Sequence, residues 1–330
     1  MFRGIPVRRL KSVDVCSGGG GLALGLERAG FDPVLLLDKR QVTCDTLKLN
    51  RPAWNVLTME LRKEFDPSEH QETYDVDLLS AGLPRVKSPA TVARRETGEE
   101  LLLLEATVLL AHAIQPRALL IENVPGLVGA PEFADVREFI HKELRHLGYG
   151  FKWFVVNAAD FGVPQDRKQG VLVALQDRYI KAFREPSPTV TRHVSAGEAL
   201  RESMSARGWE GADAWADQAD RVAPTLVGGS YERGGPDLGP TGTKKAWARM
   251  GINGSALSNE VPGPGGIQES DGSGSPCKKL TVAQTAILQS FPADWDFAGG
   301  KTKGYRQIGN ASPPPVGEAL GRAIAEALSS

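Results

Sequence analysis

The first candidate site combines a glycine-rich segment with an acid that follows it in the chain. The segment DVCSGGGGLALG, residues 14–25, lies between a predicted strand and a predicted helix. Glycines at such a turn let backbone N–H groups approach a ligand closely, and the helix N-terminus adds the positive end of its dipole. Asp38 ends the next predicted strand, where an acid commonly holds ribose hydroxyls. The pair favours a nucleoside-containing cofactor, although the glycines alone would also suit a tight turn without a ligand.

Two further polar segments accompany predicted strands. LLIENVPGL ends a strand in Glu122, and GVPQDRKQGVLVA brings Gln165 and Arg167 to the start of another. A carboxylate at the C-terminal end of a strand lies at the edge where open α/β sheets bind ligands. Taken alone, Glu122 would equally serve as a helix cap or an ion-pair partner, and the second segment as a solvated loop.

The segment AGLPRV, residues 81–86, ends a third strand in a Gly-Leu-Pro turn. Such a turn is a common position for a catalytic group, because the rigid strand positions the loop that follows it. The side chain it presents is Arg85, which is a permanent cation and cannot act as a nucleophile. This segment therefore has the form of a catalytic loop without an evident nucleophile.

These segments require an α/β framework to position them. Strand-like and helix-like stretches alternate over about the first 180 residues, which is typical of a mostly parallel sheet. Residues 185–277 are richer in Gly, Pro, Ser and charge, and PGPGGIQESDGSGSP has the composition of a mobile loop. We therefore predict a large domain from 10–184 plus 278–330, and a small, partly flexible lobe from 185–277.

Composition narrows the class of protein. The 330 residues carry a formal net charge of −1, so overall charge gives no support for nucleic-acid binding. The three cysteines, at positions 16, 44 and 277, are widely separated, which fits a reducing cytoplasm and predicts neither a disulfide framework nor a metal site. No run is apolar enough to span a membrane, and no GxxxxGK[ST] loop indicates ATP hydrolysis. We expect a cytoplasmic protein with no membrane contact and no metal.

Taken in order, the motifs resemble those of the cytosine-5 DNA methyltransferases. Six or more ordered motifs are far more specific than any single one. The matching stretches are DVCSGGGG, LLLDK, VLTMELRKEF, ENV, PQDRK, RVAPTLVGG and YRQIGNASPPPVGEALG.

The resemblance implies a fold, a cofactor and a reaction. It implies the Rossmann-like sheet of S-adenosylmethionine-dependent methyltransferases, in which the C-terminal helix folds back beside the first strand. It also implies methyl transfer from S-adenosyl-L-methionine to C5 of cytosine in DNA, as in restriction–modification systems. In this family the matching Glu, Glu122, holds N3 of the base, and the matching Arg, Arg167, braces its carbonyl. The residues that match the cofactor motifs are Asp14, Gly18, Gly20, Asp38, Glu60 and Asn310.

The chain departs from the family at the nucleophile. The family stretch that matches AGLPRV contains a cysteine that attacks C6 of cytosine, because C5 becomes a nucleophile only after that addition. Here Arg85 stands at the cysteine position, and Leu83 replaces a proline. Of the other cysteines, only Cys277 follows a stretch flexible enough to bring it towards the site. A catalytically silent partner that binds cofactor and DNA and regulates a second protein is the competing hypothesis, and a role for Arg85 in holding an anionic substrate is a third.

Target recognition is the second departure. The interval between PQDRK and RVAPTL is short, and RESMSARGWEGADAWADQAD is poorly suited to a phosphate backbone. The later stretch GGSYERGGPDLGPTGTKKAWARMG offers cations beside aromatics, although a solvated structural loop fits it equally well. We expect DNA to be bound weakly by the isolated chain, with a second protein as a further partner. The residues that carry this expectation are Tyr231, Arg233, Lys244, Lys245, Trp247 and Arg249.

Overall fold

The structure is a computed structural model, and it describes residues 9–62, 64–86, 98–228, 235–268 and 277–330. Its central feature is a seven-stranded mixed sheet with the strand order β3-β2-β1-β4-β5-β8-β6. The strands are β1 (Leu10–Val15), β2 (Phe31–Asp38), β3 (Val56–Thr58), β4 (Leu78–Gly82), β5 (Ala118–Asn123), β6 (Tyr149–Asn157) and β8 (Lys168–Gln176). A separate pair joins β7 (Gln165–Asp166) to β9 (Ala223–Pro224).

The first five strands of this order pair in parallel, and β8 runs antiparallel to both β5 and β6. The predicted mixed, mostly parallel α/β sheet is therefore confirmed. β5, with the sequence ALLIEN, is buried along its whole length, as expected for a central strand that is covered on both faces. The chain leaves β1 towards β2 on one side and later returns to β4 on the other, so the carboxyl ends of β1 and β4 flank a crevice.

Helices cover both faces of the sheet. Two of them begin with recognised start signals: α12 has proline at its first position, and α10 begins with a capping box in which Thr281 and Gln284 bond reciprocally. The helices are α1 (Gly21–Arg28), α2 (Gln41–Asn50), α3 (Glu99–Ile114), α4 (Gly126–Gly129), α5 (Ala134–His146), α6 (Asp177–Ile180), α7 (Ala196–Ser205), α8 (Ala212–Gln218), α9 (Thr241–Ala248), α10 (Val282–Leu288), α11 (Lys301–Asn310) and α12 (Pro314–Leu328).

Two apolar clusters hold the helices to the sheet. On one face, α12 and α1 meet through residues that include Leu22, Leu26, Leu320 and Ile324. The C-terminal helix thus returns to the first βα unit, in agreement with the resemblance. On the other face, α3 and α5 pack on β4 and β5. The first βα unit and α12 are therefore packed against each other close to the glycine-rich turn.

A third apolar cluster joins α7, α8 and α9 to α1, α2, α10 and α11. The segment 185–277 thus contributes helices that share a core with the elements of the turn. Its division from the remainder as a separate lobe stays a prediction. The expected mobility of PGPGGIQESDGSGSP falls partly on residues 269–276, which lie outside the described residues.

Candidate active site

A cavity of about 500 Å³ opens at the carboxyl ends of β1, β2 and β4. Its volume lies in the range of roughly 300–1,000 Å³ that is usual for small-molecule sites, and its position is the ligand edge of an open α/β sheet. Its lining carries both signs of charge, with acids and bases facing the same space. The charged lining residues are Asp14, Asp38, Glu60, Glu100, Lys39, Arg40, Arg85 and Arg306.

The glycine-rich turn forms one wall of this cavity. Its glycines meet different structural requirements, either a backbone conformation or a close contact. Gly18 lines the cavity with a positive φ of 52°, which other residues rarely adopt. Gly20 is not among the lining residues. It lies against Leu47, since a Cβ on Gly20 would be 2.6 Å from that side chain. A Cβ on Gly21 would lie 2.0 Å from the Ser312 carbonyl oxygen. The turn is thus pressed against the loop that precedes α12.

Asp38 fixes the shape of the turn as well as lining the cavity. Its carboxylate accepts hydrogen bonds from the Gly18 N–H, the Arg40 N–H and the Thr43 hydroxyl, each at 2.9 Å. A carboxylate has about four acceptor sites, so a ligand hydroxyl still has an acceptor available to it. Asp38 therefore couples the end of β2 to the backbone of the turn after β1.

Asp14, at the end of β1, is the most perturbed acid in the cavity. The Ser80 hydroxyl donates to Asp14 Oδ1 at 2.5 Å, whereas Oδ2 is buried and has no hydrogen-bond partner among the described residues. Burial raises the pKa of Asp14 to about 6, against the smaller lowering effect of the Ser80 and Ser17 hydroxyls. An unpaired buried acceptor facing a cavity is costly, so the arrangement favours a donor or cation supplied by a ligand.

Glu60 and Asn310 complete the predicted cofactor set in the cavity lining. Asn310 ends α11, and a Cβ on Gly228 would lie 2.5 Å from its Nδ2, so the glycine admits the amide. Five of the six predicted cofactor residues therefore line one space, although they come from distant parts of the chain. Gly20, which lies against Leu47, is the exception.

The AGLPRV loop is held firmly over the end of β5. The side chain of Asn123 accepts from the Val86 N–H at 3.0 Å and donates to the Pro84 carbonyl at 3.2 Å. Leu83 is only 4% exposed and packs with Val86 in the core. Arg85 follows this buried leucine and lines the cavity, as Leu83 and Pro84 also do.

Glu122 and Arg167 lie deeper, and neither is among the residues that line the cavity. Both are buried, and Glu122 pairs with Gly82 across β4 and β5. Burial raises the pKa of Glu122, while Arg167, the Gln169 amide and Arg85 oppose that shift in decreasing order. Burial also lowers the pKa of Arg167 to about 9, and Arg85 adds to this lowering. The three predicted catalytic residues thus form one electrostatic group.

No cysteine in the described residues has the properties of a nucleophile at this position. Cys16 lines the cavity, but burial and the charges of Asp38 and Asp14 raise the pKa of its thiol. Cys44 is buried in α2, and burial raises its pKa as well. Cys277 is not among the lining residues of the cavity.

Two functional candidates were missed from the sequence. Asn123, which anchors the AGLPRV loop, was passed over beside Glu122, and Gln169 was passed over beside Arg167. Gln169 is buried, donates from Nε2 to the Ser312 hydroxyl at 2.9 Å and lowers the pKa of Glu122. The alternation of polar residues at 165, 167 and 169 was the signal, since alternate residues of a strand share a face.

The expected DNA contacts are corrected in part. Trp247 is 0% exposed, so its predicted role beside a nucleic acid is wrong and it is a core residue. Lys244 pairs with Asp237 at 2.9 Å, which offsets its charge. Lys245 and Arg249 are exposed at and just beyond the end of α9. Tyr231 and Arg233 lie outside the described residues.

Comparison with known proteins decides the family. A family model for C-5 cytosine-specific DNA methylases matches residues 10–326. The chain belongs to this family. It is 40% identical over 327 residues to the Type II methyltransferase M.NaeI of Lentzea aerocolonigenes, covering 98% of this chain and 76% of the relative. It is 39% identical over 325 residues to the Type II methyltransferase M.NgoMIV of Neisseria gonorrhoeae, covering 96% and 97% of the two chains.

Solved structures of methyltransferases share the fold of this family member. The Entamoeba histolytica methyltransferase EhMeth matches with a TM-score of 0.66 at 13% identity, covering 98% of this chain and 100% of the other. The S. pombe Dnmt2 methyltransferase matches with a TM-score of 0.62 at 16% identity, with the same coverage. The sheet is therefore that of the S-adenosylmethionine-dependent DNA methyltransferases.

Two kinds of feature are not found among the described residues. Within them, no helix is both long and apolar enough to cross a bilayer. Nor do these residues contain a group of three or more histidine, cysteine, aspartate or glutamate side chains arranged to hold a metal ion.

Proposed function

We propose that this chain binds S-adenosyl-L-methionine in the cavity and directs methyl transfer to C5 of cytosine in DNA. The observation that carries the cofactor assignment is the buried, unpartnered Oδ2 of Asp14 in a cavity lined by Asp38, Glu60 and Asn310. The cofactor is zwitterionic with an additional sulfonium cation, and the cavity lining offers both acids and bases to such a molecule. When bound, it would supply an activated methyl group.

Different residues of the chain would bind different parts of the cofactor. The Gly18 turn and the carboxylate of Asp38 suit the nucleoside portion, because the turn allows close backbone approach and Asp38 retains an acceptor for a ribose hydroxyl. Glu60 would accept from the adenine amine, and Asn310 would contact the cofactor from the end of α11. The raised pKa of Asp14 falls again if a ligand donor or cation reaches Oδ2.

On the base side, Glu122 and Arg167 would bind cytosine. Burial raises the pKa of Glu122, which favours a protonated carboxyl that can donate to N3. Arg167 would brace the base carbonyl, and Asn123 would hold the loop that carries residue 85. The covalent step of the family reaction requires a thiolate at C6, and residue 85 supplies a guanidinium in its place.

That substitution favours a second candidate function: a cofactor- and DNA-binding partner that has no turnover of its own. The specific observation is that Arg85 lines the cavity where the family cysteine would act, while the thiol of Cys16 has a raised pKa. Such a chain would regulate or guide a second protein. We propose DNA as the macromolecular ligand in either case, in the restriction–modification context of its Type II relatives and in the cytoplasm.

Calorimetric titration of the purified chain with S-adenosylmethionine and its demethylated product tests the cofactor proposal. We expect saturable binding that also raises the melting temperature, because the ligand binds only the folded state. Asp38→Ala should weaken binding about tenfold or more, since it removes a ligand acceptor and a bond to the Gly18 N–H. Asp45→Ala, on the exposed side of α2, is the matched control. Absence of binding at millimolar ligand would refute the proposal.

A further inference from the structure

The helix α2 turns a polar face towards the interior, whereas a helix packed on a core usually presents an apolar face. Thr43, Thr46 and Asn50 are spaced by three and four residues, so they share one side of the helix. Thr43 and Thr46 are 1% and 0% exposed, and Asn50 is partly buried. All three side chains are hydrogen-bonded, and their partners lie in segments that are far apart in the chain. The polar face of α2 therefore connects distant segments.

Thr46 belongs to a closed ring of three hydrogen bonds. Its hydroxyl donates to Gln307 Oε1 at 2.7 Å, and Gln307 Nε2 donates to the Ala298 carbonyl at 3.0 Å. The Ala298 N–H completes the ring by donating to Thr46 Oγ1 at 2.9 Å. The Thr46 hydroxyl also lies 3.2 Å from the Val42 carbonyl, but its single proton favours the shorter bond to Gln307. The ring joins α2, α11 and the loop before α11.

Asn50 binds the same loop one turn further along α2. Its Oδ1 accepts from the Asp296 N–H at 2.8 Å, and its Nδ2 donates to the Asp296 carbonyl at 2.7 Å. An amide that binds both backbone groups of one residue fixes the orientation of that residue. Because residues 296 and 298 are both bonded to α2, the position of Phe297 between them is fixed as well.

The hydrogen-bonded ring meets the cavity at the glycine-rich turn. Gln307 is 3% exposed, and it lines the cavity together with Gly19 and Asn310. A Cβ on Gly19 would lie 3.2 Å from the Phe297 side chain and 3.3 Å from Gln307 Cβ, so the turn packs against both. Asn310 lies three residues beyond Gln307 on α11. Thr46 is not a lining residue, so its influence on a ligand passes through its neighbours.

We propose that Thr46 is a positioning residue for cofactor binding, acting through Gln307 to fix α11 against the glycine-rich turn. The inference rests on the proposed binding of S-adenosylmethionine in the cavity. On the same face of α2, the Thr43 hydroxyl donates to Asp38 at 2.9 Å. One helix is thus bonded both to the acid at the end of β2 and, through the ring, to the helix that carries Asn310. A rigid element bonded to both keeps the two cofactor residues at a fixed separation.

The test is calorimetric titration of the full chain with S-adenosylmethionine. Thr46→Val keeps the shape of the side chain but leaves Gln307 Oε1 and the Ala298 N–H without their partner. We expect it to weaken binding about fivefold or more, whereas Thr46→Ser keeps the hydroxyl and should bind within about twofold of wild type. The matched control is Thr285→Val in α10, where a buried hydroxyl donates to the Val282 carbonyl of its own helix. This variant should retain the wild-type affinity.

A double-mutant cycle separates positioning from a general loss of stability. Gln307→Leu breaks the ring from its other side and should also weaken binding. If Thr46 acts through Gln307, adding Thr46→Val to Gln307→Leu should change the affinity by less than about twofold, because the ring is already broken. Should Thr46→Val fail to fold, Thr46→Ala removes the same hydroxyl with a smaller side chain and takes its place in the cycle. Additive losses would overturn the proposal.

Two further outcomes would also overturn it. One is wild-type affinity in Thr46→Val, and the other is a loss in Thr46→Ser as large as that in Thr46→Val. Both require that wild type binds the cofactor, so they reject the role of Thr46 and leave the proposed function intact. Absence of binding by wild type would instead reject the proposed function and this inference together.

Discussion

The two ends of the cavity differ in what the chain has retained. At the glycine-rich end, five predicted cofactor residues line one space, and Asp38 holds the turn through three hydrogen bonds. At the AGLPRV end, Asn123 holds the loop equally well, but the loop presents Arg85. The position of the AGLPRV loop is therefore separable from the chemistry of the side chain that it presents.

The same contrast appears in the electrostatics. At the glycine-rich end, the unsatisfied group is an acceptor, Asp14 Oδ2. Deeper than the AGLPRV end it is a donor, the buried Nε of Arg167, and Arg85 lies near enough to lower the pKa of Arg167. The first region thus favours a ligand cation or donor, and the second favours a ligand acceptor. The predictions below test the glycine-rich end first, then the surface of α9, and finally the AGLPRV end.

The largest effect is expected from Gly21→Ala. The added Cβ would meet the Ser312 carbonyl oxygen at 2.0 Å, so the loop before α12 must move away from the turn. We expect a loss of about 3 kcal/mol or more in unfolding free energy, and loss of cofactor binding. Gly242→Ala, near the start of α9, has open space and should be neutral or slightly stabilising. Urea unfolding of both variants measures this, and equal stability of the two would show that the close approach is not needed.

The next effect is a pH dependence carried by Asp14. Its pKa is raised to about 6 by burial, so between about pH 4 and 6 the folded state binds a proton that the unfolded state does not. The unfolding free energy should therefore rise as the pH falls from about 7 to 4, by about 2–3 kcal/mol relative to Asp14→Asn. Asp45→Asn on α2 should follow the wild-type profile. A wild-type profile that coincides with that of Asp14→Asn would contradict the assignment.

A smaller effect is expected at α9. Lys245→Ala with Arg249→Ala removes two exposed cations, and we expect DNA binding to weaken equally for all sequences. The slope of log affinity against log salt should flatten by roughly 0.9 for each lost phosphate contact. The control is the double variant Lys48→Ala with Arg28→Ala, which removes the same charge from α2 and α1. Sequence-dependent loss, measured by fluorescence anisotropy, would mean that α9 reads bases.

Much of the fold followed from local patterns. The segment QVTCDTLKLN forms α2, and a proline at the first position starts α12, because residue spacing and helix-start residues act locally. Motifs were enough to predict from the sequence a set of cofactor residues of which Asp14, Asp38, Glu60 and Asn310 line one cavity. A sequence does not show which glycines line a cavity and which, like Gly20, approach a side chain such as Leu47.

What the sequence did not reveal depended on long-range contacts. Trp247 lies beside cations in the chain and so suggested a nucleic-acid surface, but tertiary packing buries it completely. The anchoring role of Asn123 depends on the approach of β4 to β5, which joins residues far apart in the chain. The unpaired state of Arg167 Nε could be seen only once its neighbours were in position.

The central claim is that the chain keeps a competent scaffold and lacks only the nucleophile. The direct measurement is covalent trapping with DNA that contains 5-fluorocytosine, in which fluorine cannot leave C5 as a proton does. Wild type, Arg85→Cys and Arg85→Cys with Leu83→Pro are incubated with this DNA and S-adenosylmethionine, and denaturing gels report stable complexes. We predict none for wild type and a low but detectable yield for Arg85→Cys, since Arg167 nearby favours the thiolate. The double variant should gain nothing further, because Leu83 is buried in the core. An adduct with wild type would contradict the account and make Cys277 the candidate nucleophile. If Arg85→Cys binds cofactor and DNA but forms no adduct, the scaffold is not competent and the account is contradicted as well.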